Sequence, residues 1–492
     1  MRRELALLST MPSLLFASSF FYKLDPKQWS FRQPYPPLGT LQAAAVTRSL
    51  NLEVSLFDAT LASSPNEIIP SLQKVKPSYV IIYDDGFNYL TKMCLTVMRE
   101  ATFTMAQLAK ESGSTVIVSS SDATDHPEKY FPHGVDYVIQ GEGEETLKEL
   151  LIALEKKESV EKIQGLAHPG PHQTITNPPR TVLRNLDELP LPAWDLVDIE
   201  AYRKIWLAHH GYFSLNLATT RGCPYKCNWC AKPIYGNRYN SRSPQKVIDE
   251  IEFLLQQYKP DHFWMCDDIF GLKPGWVRQF GNEVKKRSLK FRYKIQSRVD
   301  LLLQKDTIKA LAESGAETVW VGAESGSQKI LDAMDKGTLV SQIYCATDLL
   351  KQCGVKVAFF LQFGYPGEVK KDIDATLKMV LDLMPDDIGI SVSYPLPGTK
   401  FYETVKSQLN QKQNWADSDD LAMMFQNTYP PAFYKILYQY VHCRYRMKRG
   451  TGYVISWLKK PLDSLPNFKK ILSVPYYLIS SFVYGYRLRK IS

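Results

Sequence analysis

Residues Thr219–Pro233 read TTRGCPYKCNWCAKP and put Cys223, Cys227 and Cys230 within eight residues of a 492-residue chain that has eight cysteines in all. The other five (Cys94, Cys266, Cys345, Cys353 and Cys443) stand alone, so there is no disulfide framework. Clustered thiols in a cysteine-poor chain point to a reducing compartment and to metal or redox chemistry. A closed structural zinc site wants four ligands, as does the ordinary four-thiolate iron–sulfur cluster. Three thiolates in one tight loop, spaced C-x3-C-x2-C, can instead hold three irons of a cubane and leave the fourth iron open to a small molecule. The competing reading is a zinc knuckle completed by a distant Cys266 or His262. Against it, the loop leaves a strand of a long strand–helix array, not a small cysteine-rich module.

The totals bound the rest. A chain of 492 residues exceeds one ordinary hydrophobic core, so two or three domains are expected. With 45% apolar and 23% charged residues it has the balance of a folded protein, which excludes extended disorder. The net charge of +9 is unevenly distributed: residues 421–492 hold twelve Lys and Arg against Asp463 alone, while the remainder is close to neutral. The basic excess therefore reports on what the tail touches.

Two apolar runs resemble membrane signals. The opening MRRELALLSTMPSLLFASSFF contains Glu4 and Pro12 and has no small-residue cleavage site, so it reads as a strand, Glu4–Ser9, followed by a loop. ILSVPYYLISSFVYGY, Ile471–Tyr486, is sixteen residues long, carries Pro475 and falls short of the ~20 residues that span a bilayer. It reads as a segment able to lie on a membrane without crossing it, and the expected location is cytoplasmic, with association at the inner face.

Residues 1–160 alternate strand-like and helix-like runs. LEVSLFDA, SYVIIYDD, STVIVSSS and VDYVIQG read as strands, with LGTLQAAAVTRSL and TKMCLTVMREATFTMAQLAKE as helices between them. This is the pattern of a doubly wound parallel sheet, whose ligands sit beyond the carboxyl ends of the strands. Here those ends are Ser9-Thr10, Asp84-Asp85, Ser119 to Asp122 and Gly141 to Gly143. Prolines then recur from His168 to Pro192, which predicts an extended linker over residues 161–205. A second array over 206–410 has six strands: SLNLATT, HFWMCDD, FRYKIQSR, TVWVGAES, KVAFFLQFG and DIGISVSYP. Repeated strand–helix units predict a barrel or partial (β/α)6 barrel with its chemistry at the strand carboxyl ends. Residues 411–492 read as a helical, aromatic and basic region.

The cysteine spacing, Trp229 just before the last cysteine and the strand-barrel context resemble the radical S-adenosylmethionine (radical SAM) superfamily. LQFGYPGE (Leu361–Glu368), ISVSYPLPGTKFYE (Ile390–Glu403), PPLGTLQAAAV, GEGEETL and LDELPLPAWDL resemble its branch with an amino-terminal cobalamin-binding domain. That branch includes the anaerobic oxidative cyclase of magnesium-protoporphyrin monomethyl ester and many C-methyltransferases. The resemblance runs from about residue 1 to 410 and implies a Rossmann-like cobalamin-binding domain, a partial radical SAM barrel and a [4Fe-4S] cluster on Cys223, Cys227 and Cys230. It further implies that S-adenosylmethionine chelates the open iron and is split to a 5'-deoxyadenosyl radical. An electron donor such as flavodoxin or ferredoxin would serve the cluster.

The strand ends supply the cofactor contacts that the resemblance implies. Asp267 and Asp268 end the second barrel strand, where the adenosylmethionine ammonium is held, and Gln296 and Arg298 end the third, where an arginine can hold a carboxylate. Glu324 ends the fourth, at the height of the ribose. Asp268 reads equally as a helix cap, and Arg298 as a partner of Asp300. For cobalamin the candidates are Ser119, Ser120, Gly141, Glu142 and Gly143. The D-x-H-x-x-G ligand motif is absent, DATDH (Asp122–His126) has the wrong spacing, and the Gly-Gly-x-His of many members is replaced by Ser119-Ser120-Ser121-Asp122. Bound cobalamin would then lack a histidine lower ligand. Tyr83, Asp84 and Asp85 form an acidic, aromatic loop at the same edge, read either as a substrate contact or as a turn.

These features lead to hydrogen abstraction from an unactivated carbon of a small, lipophilic substrate, followed by methyl transfer from methylcobalamin. The alternative is cyclase-like oxidation of that carbon. RNA methylthio transfer would need three further amino-terminal cysteines, and only Cys94 precedes Cys223, so no nucleic-acid partner is expected. A non-catalytic metal-binding scaffold is the remaining class. The tail, FYKILYQYVHCRYRMKR with GYRLRKIS, reads either as basic helices over the barrel or as a contact for anionic lipid.

Overall fold

The computed structural model describes residues 12–409, 411–459 and 468–491. The expected strand Glu4–Ser9 lies outside them. The first strand described is β1, Ser13–Ala17, in the apolar run after Pro12 that was read as a loop.

The chain divides into two compact units: Met1–Tyr225, Ala231–Ile295 and Asn414–Asp420 form the first, and Lys226–Cys230, Gln296–Gln413 and Leu421–Ser492 the second. In the first unit β1 pairs in parallel with β2 (Glu53–Phe57) and β3 (Tyr79–Tyr83), followed by β4 (Thr115–Ser119) and β5 (Tyr137–Ile139). Strand β3, YVIIY, is buried along its whole length, as a central parallel strand covered on both faces must be. Helices α1 (Leu38–Arg48), α2 (Thr96–Glu111), α3 (Ser121–Asp125) and α4 (Glu144–Lys156) connect or follow these strands. Apolar residues of α1 and α4, Leu147 and Leu151 among them, join a core with Phe16, Ile81 and Ile117.

The stretch read as an extended linker over 161–205 corrects to folded structure. Strands β6 (Leu166–Pro169) and β7 (Thr174–Thr176) extend the sheet with antiparallel pairing, giving the order β2-β1-β3-β4-β5-β6-β7. Pro169 is the last residue of β6 and the other prolines lie outside the two strands, where no ladder N–H is required of them. Helix Ile199–His210 follows, and its fully buried Trp206 donates from Nε1 to the Pro34 carbonyl at 2.8 Å.

The boundary expected near residue 206 is not a structural break. Strands β8 (Ser214–Leu217), β11 (His262–Met265) and β12 (Arg292–Ser297) begin the second array, and β8, β11 and residues up to Ile295 belong to the first unit. Two short strands, β9 (Thr220–Arg221) and β10 (Asn240–Ser241), form an antiparallel pair beside them. One face of β8, β11 and β12, carrying Leu215, Leu217, Phe263, Met265 and Tyr293, is fully buried, as a helix-covered face requires; the connections are α5 (Pro244–Tyr258) and α6 (Trp276–Lys286). The opposite face carries Ser214, Asn216, Trp264 and Lys294, paired across the strands in register. In the second unit β13 (Ala316–Glu324), β14 (Lys356–Phe363) and β15 (Asp387–Val392) are parallel neighbours linked by α7 (Val340–Gln352) and α8 (Lys370–Leu383). All six strands expected for the second array are therefore present.

The carboxy-terminal region also divides. Asn414–Asp420 returns to the first unit, where Ser418 donates from N and Oγ to Asp25. Among the described residues after these, two long helices of the second unit pack on each other, α9 (Pro431–Lys459) and α10 (Val474–Ile491), with a short helix, Phe468–Leu472, before α10. Pro475 sits in the first turn of α10, where its missing N–H breaks no helical bond, so it starts this helix and does not interrupt it. Among the described residues no helix is long and apolar enough to cross a membrane.

Candidate functional site

The cysteine loop begins where β8 ends, and a buried carboxylate sets that strand end. Asp267 Oδ1 accepts from the backbone N–H groups of Thr219 (2.6 Å) and Thr220 (2.7 Å), and Oδ2 accepts from Thr219 Oγ1 at 2.6 Å. Burial pushes its pKa up to about 6 against the lowering effect of those bonds. The resemblance assigned Asp267 to the adenosylmethionine ammonium; its oxygens are instead turned onto the strand that carries the cysteines. Asp268 forms an ion pair with Lys92.

Two residues before Cys223, Arg221 is 5% exposed and holds two carboxylates at once. Nη1 donates to Glu142 at 2.5 Å and Nη2 to Glu144 at 2.6 Å, while Phe87 and Tyr235 lie against the guanidinium at 5.7 and 5.3 Å. Burial disfavours its charge, but Glu144, Tyr235 and Glu142 outweigh that and hold it firmly protonated. Gly222 follows with φ +78°, and a Cβ there would lie 2.3 Å from the Arg238 carbonyl, so no other residue fits this turn.

The cobalamin candidates are correspondingly occupied. Glu142, which also accepts from Leu183 N, is committed to Arg221. Gly143 packs so closely that a Cβ would meet Tyr83 Oη at 2.7 Å, and Gly141 adopts φ +75° against the Ile234 carbonyl. Ser119 is buried, and Ser120 Oγ caps α3 by accepting from Ala123 N. Asp84 and Asp85 are buried too, with pKa values pushed up by burial to about 6 and about 7. Asp84 accepts from Ser19 Oγ, and Asp85 Oδ1 accepts from Gly39 N in the first turn of α1, so the acidic loop caps a helix. Asp122 is engaged by Arg99 and by Tyr130.

In the second unit Cys227 and Cys230 are half-buried, and Arg298 Nη1 lies 3.9 Å from Cys227 Sγ. Arg298 also donates from Nε to Asp300 at 3.0 Å, the pairing read as the alternative to a cofactor carboxylate. Gln296, on β12, is half-buried. Glu324 ends β13 in the left-handed region at φ +57°, beside a register shift, and pairs with the buried Lys336 at 2.8 Å. The loop is held by Asn228, whose Nδ2 donates to the Ala333 carbonyl at 2.7 Å and whose Oδ1 accepts from Tyr365 Oη at 2.9 Å.

No group of three or more His, Cys, Asp or Glu forms a metal cage among the described residues. The donor chemistry nevertheless suits an iron–sulfur cluster: three thiols within eight residues, none in a disulfide, with a guanidinium beside one of them. The two distant zinc candidates are otherwise engaged. Cys266 Sγ donates to the Leu217 carbonyl at 3.3 Å, and His262 Nδ1 bonds Ser214 Oγ at 2.8 Å.

Sequence reasoning missed Arg221, Glu144, Lys336 and Lys294. Arg221 was visible as a charge directly before the Gly-Cys turn, and Lys294 as a lysine in the alternation of FRYKIQSR. The Lys294 ammonium lies over the rings of Tyr35 (5.1 Å) and Trp264 (5.3 Å), and burial lowers its pKa to about 8.

A strand–helix array with a three-cysteine loop at the end of its first strand, preceded by a doubly wound sheet, is the frame of a radical enzyme. Residues 217–380 match the family model described as the radical SAM superfamily. The chain carries a radical SAM domain and is an enzyme of the radical SAM type, and that domain implies a [4Fe-4S] cluster and S-adenosylmethionine. It is 29% identical over 387 residues to a protein of Pyrococcus horikoshii named an uncharacterised methyltransferase, covering 77% of this chain and 81% of that one. It is 27% identical over 275 residues to the anaerobic magnesium-protoporphyrin IX monomethyl ester cyclase of Rubrivivax gelatinosus, covering 55% of this chain and about half (49%) of that one. The fold is that of the cobalamin-dependent S-adenosylmethionine radical enzyme OxsB, solved with aqua-cobalamin bound: TM-score 0.73 and 19% identity, over 98% of this chain and 74% of that one.

Two outcomes follow. Replacing Glu142 and Glu144 together by Gln leaves a buried guanidinium without counter-charge and is expected to lower stability by about 3–5 kcal/mol in denaturant unfolding, with less iron and sulfide retained after reconstitution. Lys294 has a lower pKa folded than unfolded, so the native state binds fewer protons between pH 8 and 10.5. Stability relative to Lys294→Met therefore rises with pH across that window, read as the difference in Tm between the two proteins.

Proposed function

We propose that the protein is a cobalamin-dependent radical SAM methyltransferase acting on an unactivated carbon of a small, lipophilic substrate. The observation that carries this reading is the union in one chain of a doubly wound sheet with the radical SAM domain. The methyltransferase-named relative supports methyl transfer over cyclase-like oxidation, because it is matched along most of its length. Cys223, Cys227 and Cys230 hold the cluster, with Arg298 beside Cys227 offsetting its negative charge. Gln296, Arg298 and Glu324 are the contacts for S-adenosylmethionine. Cobalamin would be held at the carboxyl ends of β1, β3 and β4, where Ser121 Oγ, buried without a partner in the loop after β4, is a polar atom left for a ligand. No histidine stands in that loop as a lower ligand. When bound, the cluster supplies the electron that splits adenosylmethionine, and cobalamin supplies the methyl group. The chain's own part is to exclude water, orient both cofactors and neutralise their charges. A donor such as flavodoxin or ferredoxin delivers the electron.

Anaerobic reconstitution with cobalamin, adenosylmethionine and a reductant is expected to give cluster and corrinoid absorption together, and 5'-deoxyadenosine. Cys223→Ala, Cys227→Ala or Cys230→Ala abolishes the 5'-deoxyadenosine. Substrate recovered from such reactions gains one methylene; a gain of oxygen would favour the cyclase reading, and a single zinc without sulfide would end both.

The tail helices support contact with an anionic membrane surface. Helix α10 turns Tyr477, Ser481, Gly485 and Leu488 to one side, where Tyr477 and Gly485 meet α9. At the same helical spacing Tyr476, Ile479, Phe482, Val483 and Tyr486 are exposed, Phe482 by 71% and Ile479 by 64%. Lys469, Lys470, Arg487, Arg489 and Lys490 accompany that apolar stripe, and no acidic residue occurs among the described residues of either helix. An apolar stripe with a cationic border suits an acidic lipid surface. Ile479→Glu with Phe482→Glu is expected to lower binding to phosphatidylcholine–phosphatidylglycerol vesicles at least tenfold, with an unchanged circular dichroism spectrum. Undiminished binding, or a change in oligomeric state instead, assigns the stripe elsewhere.

A further inference from the structure

The first unit contains a cavity of about 720 Å³ that no part of the proposed chemistry uses. Its walls are the end of β5, the segment after β7 and residues Pro233–Asn240, which follow the cysteine loop. Of the strand-end residues read as cobalamin contacts only Gly141 lines it; Ser119, Ser120, Glu142 and Gly143 do not.

Its chemistry is one-sided. Arg180, Arg184 and Arg238 reach it, together with several amides and hydroxyls, and no Asp or Glu lines it. Arg180 is already matched, donating from Nη1 to Glu149 at 3.1 Å and from Nε to Thr146 at 2.8 Å. Arg184 and Arg238 have no ion-pair or hydrogen-bond partner for their side chains among the described residues. Val182, Ile234, Pro179, Pro233 and Tyr235 supply the apolar part of the lining. A pocket of several hundred Å³ with apolar walls and a few convergent charges is the ordinary form of a small-molecule site.

The geometry points to a binding site for an amphipathic organic anion, an apolar body carrying a phosphate or a carboxylate, with Arg184 and Arg238 taking the charge and Ile234 and Tyr235 the apolar part. Guanidinium groups bind both kinds of anion in a planar, two-pronged way. Occupancy bears on the cysteine loop, because Tyr235 lines the cavity and also faces the Arg221 guanidinium. Ligand packed against Tyr235 stiffens the segment that returns from Cys230. This proposal does not depend on which reaction the enzyme performs.

Phenyl phosphate and benzoate, titrated calorimetrically into the anaerobically reconstituted full chain, separate the two sources of charge. At least one is expected to bind, and neutral benzyl alcohol at least tenfold more weakly. Arg184→Ala with Arg238→Ala weakens the charged probe at least tenfold; both arginines are exposed, so Tm stays unchanged, and single Gln variants each give a smaller loss should the double variant fold poorly. Preference for phenyl phosphate names a phosphate-bearing ligand, and preference for benzoate a carboxylate. The proposal fails if neither probe binds, or if the variants bind as the parent does. It fails equally if saturation with cobalamin abolishes probe binding, since the cavity would then be part of the corrinoid site. Formation of 5'-deoxyadenosine, measured on the same samples, reports separately on the radical chemistry.

Discussion

The Arg221 guanidinium, held between Glu142 and Glu144 with almost no access to water, is the contact on which the site depends. One charge of a buried trio cannot be removed cheaply, because each remaining charge has been taken out of water for its partner. Arg221 is separated from Cys223 by a single glycine, and Glu142 and Glu144 lie at the end of β5 and the start of α4. The start of the cysteine loop is thereby fastened to the doubly wound sheet, well away along the chain from the other residues of the second array. Gly222 makes this possible, since any side chain would strike the Arg238 carbonyl.

Several carboxylates at the strand ends have structural work before any ligand arrives. Asp267 closes the end of β8 by accepting three hydrogen bonds, Asp85 caps α1, and Asp122 is satisfied by Arg99 and Tyr130. Each is buried, and each would be costly there if left without donors. A group so engaged has little capacity left for a cofactor. The Ser121 hydroxyl, buried without a hydrogen-bond partner, is of another kind.

The Lys294 ammonium is set over two aromatic faces on the side of β8, β11 and β12 opposite their helix-covered face. A lysine in that position is destabilising for the fold by itself, as the lowering of its pKa states in another form. Residues of this kind mark surfaces shaped for something other than stability.

The sequence alone determined the two strand–helix arrays, all six strands of the second, the cysteine loop and the radical SAM domain, because hydrophobic period and cysteine spacing are local properties of the chain. It also set the tail apart by charge. What only the tertiary structure decided is where polar groups spend their hydrogen bonds. GEGEE read as a ligand loop until its carboxylates met an arginine some 80 residues away, and MCDD as a cofactor contact until Asp267 met Thr219 and Thr220. The proline-marked stretch read as a linker because strand pairing across a sheet leaves no mark on residues as short as β6 and β7. The pairing of buried charges depends on sequence-distant partners, and a single chain read residue by residue does not say which of them fold together.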